Sequence, residues 1–93
     1  ADRPPAMAIQ PAALHSTRGG QFVLEVKVVN ASHQTAGAVA IAGELTSGLG
    51  VVETSNATLT YVPGNSEAEA GLVFTRDPRL HRLRLRVLGY EKP

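Results

Sequence analysis

The stretch Phe22-Val23-Leu24-Glu25-Val26-Lys27-Val28-Val29-Asn30 decides the fold class. Phe22, Leu24, Val26 and Val28 recur at every second position, with Glu25 and Lys27 between them. That is the two-residue period of a half-buried β-strand, and the residue types are those that fit a pleated surface. Arg18-Gly19-Gly20 before it has turn chemistry, and residues 31–34 after it form a polar loop. A strand over residues 21–30 is therefore expected, with Phe22, Leu24, Val26 and Val28 on one face.

The same alternation recurs along the rest of the chain. Residues 6–16 suit a weak strand that Pro11 confines to an edge or a bulge. In residues 35–45, Val39, Ile41 and Leu45 share one face and Ala38, Ala40 and Ala42 the other. A helix competes for this alanine-rich segment, but Gly37, Gly43 and the β-branched Val39 and Ile41 favour a strand. Residues 46–50 form a glycine-punctuated loop. Short strands follow at 51–55 and 58–62, the latter with Leu59 and Tyr61 on one face. Pro63-Gly64-Asn65 is a tight turn in which Pro sets φ at the first corner and Gly supplies positive φ at the next. Residues 68–75 place Ala70, Leu72 and Phe74 inward, Asp77-Pro78 turns the chain, and Leu83, Leu85 and Val87 then alternate with Arg82, Arg84 and Arg86. About seven short strands, nearly without helix, predict an all-β antiparallel sandwich. Residues 1–5, with paired prolines, read as a flexible linker, and residues 6–93 as the domain.

Val26-Lys27-Val28-Val29-Asn30 followed by Thr35-Ala36-Gly37-Ala38-Val39 resembles the opening of bacterial immunoglobulin-like, CARDB-like adhesion-related modules. Tyr61-Val62-Pro63-Gly64-Asn65-Ser66 and Leu72-Val73-Phe74 continue that resemblance. The chain is also similar to the ectodomain of a family of small bacterial single-pass membrane proteins of unknown function. There the matching motifs are Val52-Glu53-Thr54-Ser55, Tyr61-Val62-Pro63-Gly64, Phe74-Thr75-Arg76-Asp77-Pro78 and Leu88-Gly89-Tyr90. Together these cover residues 22–93, and they are turn and core signatures. The resemblance implies an immunoglobulin-like sandwich of about seven strands, an upstream membrane helix and an extracytoplasmic position in the periplasm or at the cell surface. It brings no catalytic residues with it.

Composition narrows the function classes. A net charge of +1 over 93 residues argues against generic nucleic-acid binding, which calls for a markedly basic domain. With no cysteine there is no disulfide and no thiolate metal site. The aromatics are Phe22, Tyr61, Phe74 and Tyr90 alone, so the core is expected to be built from Val, Leu and Ala and to be modestly stable. No run reaches the roughly 20 apolar residues that span a bilayer. The opening Ala1-Asp2-Arg3-Pro4-Pro5, with neither an initiator Met nor a signal-peptide pattern, reads as the start of an excised fragment or a linker.

Candidate chemistry is sparse. His15, His33 and His81 fall in an edge segment, a loop and a strand start, none in a nucleophile-elbow context, so no catalytic residue is expected. Their spacing is not that of a zinc site, and the carboxylates are too scattered for a calcium loop, so neither metal nor other cofactor is expected. Arg18-Gly19-Gly20 and Ser47-Gly48-Leu49-Gly50 lie between strands and read as hairpin turns rather than phosphate cradles. Asn30-Ala31-Ser32 and Asn56-Ala57-Thr58 are formal glycosylation sequences, and Asn30 reads as a strand-end residue that bonds loop backbone.

Two surfaces remain. Arg82, Arg84 and Arg86 make a stripe at about 6.6 Å spacing, with Arg76 and Arg79 at one end and Glu67 and Glu69 expected near the other. The stripe would meet a polyanion, lipid headgroups or an acidic partner, or simply protect an edge strand. Ala38, Ala40 and Ala42, taken as neighbours of Gly71 and Val73 on the next sheet strand, would form a flat apolar patch rimmed by charge. The expected function is a non-enzymatic extracytoplasmic interaction module that binds an envelope protein or itself, with membrane contact only through the upstream anchor. The alternative is a polyanion- or carbohydrate-binding module using Arg82, Arg84 and Arg86, with Tyr90 as the one platform for sugar stacking.

Overall fold

The computed structural model describes residues 6–92; the linker expected at residues 1–5 lies outside them. Six strands form: β1 (Met7–Ser16), β2 (Phe22–Asn30), β3 (Ala36–Ser47), β4 (Gly50–Val62), β5 (Ser66–Phe74) and β6 (Arg82–Glu91), with a 3-10 turn at Pro78–Leu80. They build two three-stranded antiparallel sheets, ordered β1-β2-β5 and β4-β3-β6, which pack as a sandwich. The all-β architecture is as read from the sequence.

The strand count is six and not seven. Residues 51–55 and 58–62 are halves of one strand, because Asn56 pairs with Ala42 and Ala57 with Ile41 in an unbroken run of the β3–β4 ladder. The ladder to a central strand outweighs the weak strand preference of Asn and Ala. A second correction concerns neighbours. The alanine strand β3 pairs with β4 and β6, whereas β5 pairs with β2 in the opposite sheet.

The residues with the two-residue period fill the core. Leu24, Val26 and Val28 of β2 meet Val39, Ile41 and Leu45 of β3, with Val62, Leu72 and Phe74 completing a buried cluster. Gly43 lies between Ile41 and Leu45 on the inner face. A Cβ there would stand 2.9 Å from Leu72 Cδ1 and 3.0 Å from Phe74 Cζ, so the bare glycine lets the Phe74 ring seat against the opposite sheet. At Pro11 the β1–β2 register slips by one residue, which is the bulge that a proline in an edge strand demands.

One end of the sandwich is fastened by Asn30, the single buried polar residue among those described. Its Nδ2 donates to the carbonyls of Gln34 at 2.7 Å and Val62 at 3.0 Å, and its Oδ1 accepts from the Ser32 amide at 3.0 Å and hydroxyl at 2.7 Å. The end of β2 in one sheet is thereby tied to the end of β4 in the other. The neighbouring turn locks on from above, where the Asn65 amide donates to the Ser32 carbonyl at 2.7 Å. In that turn positive φ falls on Asn65, at 53°, and not on Gly64 as expected. Gly64 answers a different need: a Cβ would come within 2.5 Å of the His33 carbonyl group.

Removing the Asn30 amide leaves the Val62 carbonyl without its side-chain donor and the Ser32 amide and hydroxyl without their acceptor in a buried site. Asn30→Ala is expected to lower the urea-unfolding free energy by about 2–3 kcal/mol, against well under that for Asn56→Ala on the exposed face. Gly43→Ala is expected to cost about 1–3 kcal/mol through overpacking against Leu72 and Phe74, measured in the same titration.

Candidate functional site: the outer face of the β4-β3-β6 sheet

Because the odd-numbered residues of β3 from Val39 to Leu45 turn inward, the even-numbered ones between them face outward, and pairing extends each into a row. Thr54, Glu44 and Arg84 lie in one row, Asn56, Ala42 and Arg86 in the next, and Thr58, Ala40 and Gly89 in a third. The face therefore grades from hydroxyl and amide side chains on β4, through methyl groups on β3, to guanidinium groups on β6. The third row is built of small side chains, and beside it Leu88 of β6 stands exposed at the ladder irregularity.

Ala38, Ala40 and Ala42 share this face but differ in exposure. Ala38 is exposed, Ala40 half-buried and Ala42 buried. Ala42 is covered because its neighbour Arg86 reaches across to ion-pair with Glu44, Nε to Oε1 at 3.2 Å. Ala38 has φ of 45° beside an irregularity of the β3–β6 ladder, so the strand kinks there. Next to the kink lies a depression of about 350 Å³ lined by Gly37, Ala38, Thr58, Thr60, Tyr61 and Glu91. Its β4 residues were not singled out from sequence, although Thr54, Asn56, Thr58 and Thr60 alternate as polar positions on one face.

Gly71 and Val73, expected to extend the alanine patch, do not. They point outward from β5, paired with Glu25 and Val23 of β2, on the opposite side of the sandwich. The five residues thus split between two faces, because β5 joins the other sheet. Tyr90 is not a stacking platform: it packs against the core, and the exposed ring is Tyr61.

Arg82, Arg84 and Arg86 do form the outward row of β6, with Leu83, Leu85 and Val87 turned inward. Its partial neutralisation comes from Glu44. Glu67 instead pairs with Lys27 at 3.7 Å, and Glu69 lies opposite Lys27 in the β2–β5 ladder. Arg76 and Arg79 belong to the connection after β5 rather than to the stripe. Arg76 Nη1 donates to the Val52 carbonyl at 2.7 Å, and Arg79 forks onto Asp77, with Nη2 at 2.8 Å from Oδ2. The Arg79 side chain and then its amide, bonded to Asp77, hold that carboxyl below its usual range, and the Asp77 carboxylate in turn pushes the guanidinium up.

Glu53 is the second fastening between the sheets. Its carboxylate accepts from the Thr75 amide at 2.7 Å, the Thr75 hydroxyl at 3.1 Å and the Arg76 amide at 2.9 Å. Burial alone would push this carboxyl up, but the amides of Thr75 and Arg76, the hydroxyl and the Arg76 charge together hold it below its ordinary value. The three histidines do not converge. His15 lies near the end of β1, 2.7 Å from Glu25, and His33 contacts Asn65 at 2.8 Å in the loops at the Asn30 end. His81 closes the 3-10 turn before β6. Among the described residues no group of three or more His, Cys, Asp or Glu could hold a metal ion, and no helix is long and apolar enough to cross a membrane.

No family model matches the chain, and no curated protein matches it. One solved structure is similar, the X-ray structure of Northeast Structural Genomics Consortium target SoR45, at 15% identity and a TM-score of 0.34. The match covers 77% of this chain and 62% of that one, so the chain spans less than two thirds of that structure's length.

Since folding lowers the Glu53 pKa, its contribution is complete above the unfolded value near pH 4.3 and is lost as pH falls through the lower folded value. Glu53→Gln is expected to unfold at lower urea than the parent at neutral pH, with the two midpoints converging as pH falls below the unfolded value. A gap that stays constant across the titration would remove the carboxylate from the account.

Proposed function

We propose that this chain is a non-enzymatic protein-interaction module that docks a partner on the outer face of β4-β3-β6. The observation that carries it is the row Thr58, Ala40 and Gly89, small and uncharged, with the exposed Leu88, the arginines and the Tyr61 depression around it. Small side chains at the centre permit close approach of another backbone, and a polar or charged rim excludes water from it, which is how a docking surface is organised. The fold is read more finely as immunoglobulin-like, supported by central strands β2 and β3 in opposite sheets joined by a loop that crosses between them. The partner is an envelope protein or a second copy. Placement outside the cytoplasm on an upstream membrane anchor rests on the sequence resemblance, and membrane fractionation of the full-length protein tests it.

Ala40→Glu puts a charge at the middle of the proposed contact while leaving the core untouched. It is expected to abolish crosslinked capture of the partner from native membranes at a cost to stability of about 1 kcal/mol or less. Equal capture by both proteins would exclude the alanine face.

A second reading has its own support. Arg82 and Arg84 make no ion pair among the described residues, whereas Arg86 does. A polyanion contact through these two would collapse between low and moderate ionic strength. An apolar contact through Ala40 would persist, so a salt series on the captured complex separates them.

A further inference from the structure

The inner side of β6 is less well covered than that of its neighbour. Leu83, Leu85 and Val87 are half-buried, while Val39, Ile41 and Leu45 on β3 are fully enclosed. The difference arises because β6 has β3 along one flank and, among the described residues, no strand along the other. Beside that free flank a mostly apolar slot of about 390 Å³ opens between the sheets, lined by Pro11, Leu14, Leu24, Pro78 and Leu83 and, at its rim, by the Asp77-paired Arg79. Its far wall is β1 at the Pro11 bulge, where the ladder slips. Half of the backbone N–H and C=O groups of an edge strand point away from its neighbour, and at Leu83 this flank of β6 borders the slot.

Charge decides what fits the flank. Arg82, Arg84 and Arg86 stand at alternate positions on its outer face, and Glu44 answers only Arg86, from the β3 side. Antiparallel pairing of β6 with β6 of a second copy would set arginine against arginine, which is destabilising. The same row that repels a like strand attracts one with carboxylates at alternate positions.

We infer that β6 is an acceptor edge for an extended segment of a partner protein in which acidic and apolar residues alternate. Its backbone continues the β4-β3-β6 sheet, its carboxylates face the arginine row, and its apolar side chains complete the cover over Leu83, Leu85 and the slot. This edge is distinct from the alanine face and goes beyond the docking proposed there.

The probe is a blocked synthetic peptide, Thr-Glu-Val-Glu-Val-Glu-Val-Thr, titrated into the isotope-labelled domain and followed by amide NMR and hydrogen exchange. The expected result is saturable binding with shifts centred on residues 82–88 and new exchange protection of β6 amides. Affinity is expected to fall by about tenfold or more when Arg82 and Arg84 are both changed to Gln, the loss typical of charge-assisted contacts. A peptide with Lys for every Glu is expected not to bind, nor one with alternate backbone nitrogens methylated, which keeps its charge but cannot extend a sheet. Equal binding of the methylated peptide would reduce the site to generic polyanion attraction and overturn the proposal. So would shifts confined to the alanine face, or no binding at low salt. The double variant changes exposed side chains only, and a thermal melt near that of the parent confirms that it is folded.

Discussion

A single buried amide holds the two sheets in their working relation. Asn30 has four hydrogen bonds to make in a site closed to water, and its partners are supplied by two separate segments: the β2–β3 loop, through Ser32 and Gln34, and the end of β4. A buried polar group that is fully bonded costs little, and one left partly bonded costs a great deal. Only one relative placement of the β2 and β4 ends satisfies it. Through the ladder to β4, that placement also fixes where β3 lies across the sandwich. At the other end Glu53 performs the same service with a charged group, joining β4 to the backbone after β5. Between these two fastenings the Val, Leu and Phe side chains need only fill space.

Much of this was legible because a strand writes its two faces into alternate residues. The inward sets of β2 and β3, the Arg/Leu alternation of β6 and the bulge at Pro11 all follow from local chemistry, and so does the role of Asn30 at a strand end. Pairing between strands is not local, and there sequence reasoning failed. Nothing near Gly71 or Val73 says that β5 lies beside β2, so the expected extension of the alanine patch through these two residues, and the expected neutralisation by Glu67 and Glu69, fall on the other side of the sandwich. Asn56 and Ala57 look like a break, yet the ladder to Ala42 and Ile41 carries the strand through them. Gly64 looked like a positive-φ residue; its real constraint is the approach of the His33 backbone, which lies far away in sequence. Gly43 is similar: its necessity becomes visible only when Phe74 arrives from the opposite sheet.

The outer face of β4-β3-β6 inherits its character from these constraints. A strand whose inward positions must be Val, Ile, Gly and Leu is less constrained on its outward side, where Ala38, Ala40 and Ala42 precede Glu44. The arginines on β6 border that face on one side and the unpaired edge on the other. One row of charge thus serves two surfaces, repelling a second β6 while leaving the alanine row accessible.

The most direct test is positional. A photo-reactive amino acid placed singly at Ala40, Thr58 or Val73 in the full-length protein, activated in intact cells, reports which face is covered. The account predicts a discrete crosslinked product from the positions at Ala40 and Thr58 and none from Val73. A product from Val73 with none from Ala40 and Thr58 would place the contact on the β1-β2-β5 side and contradict it.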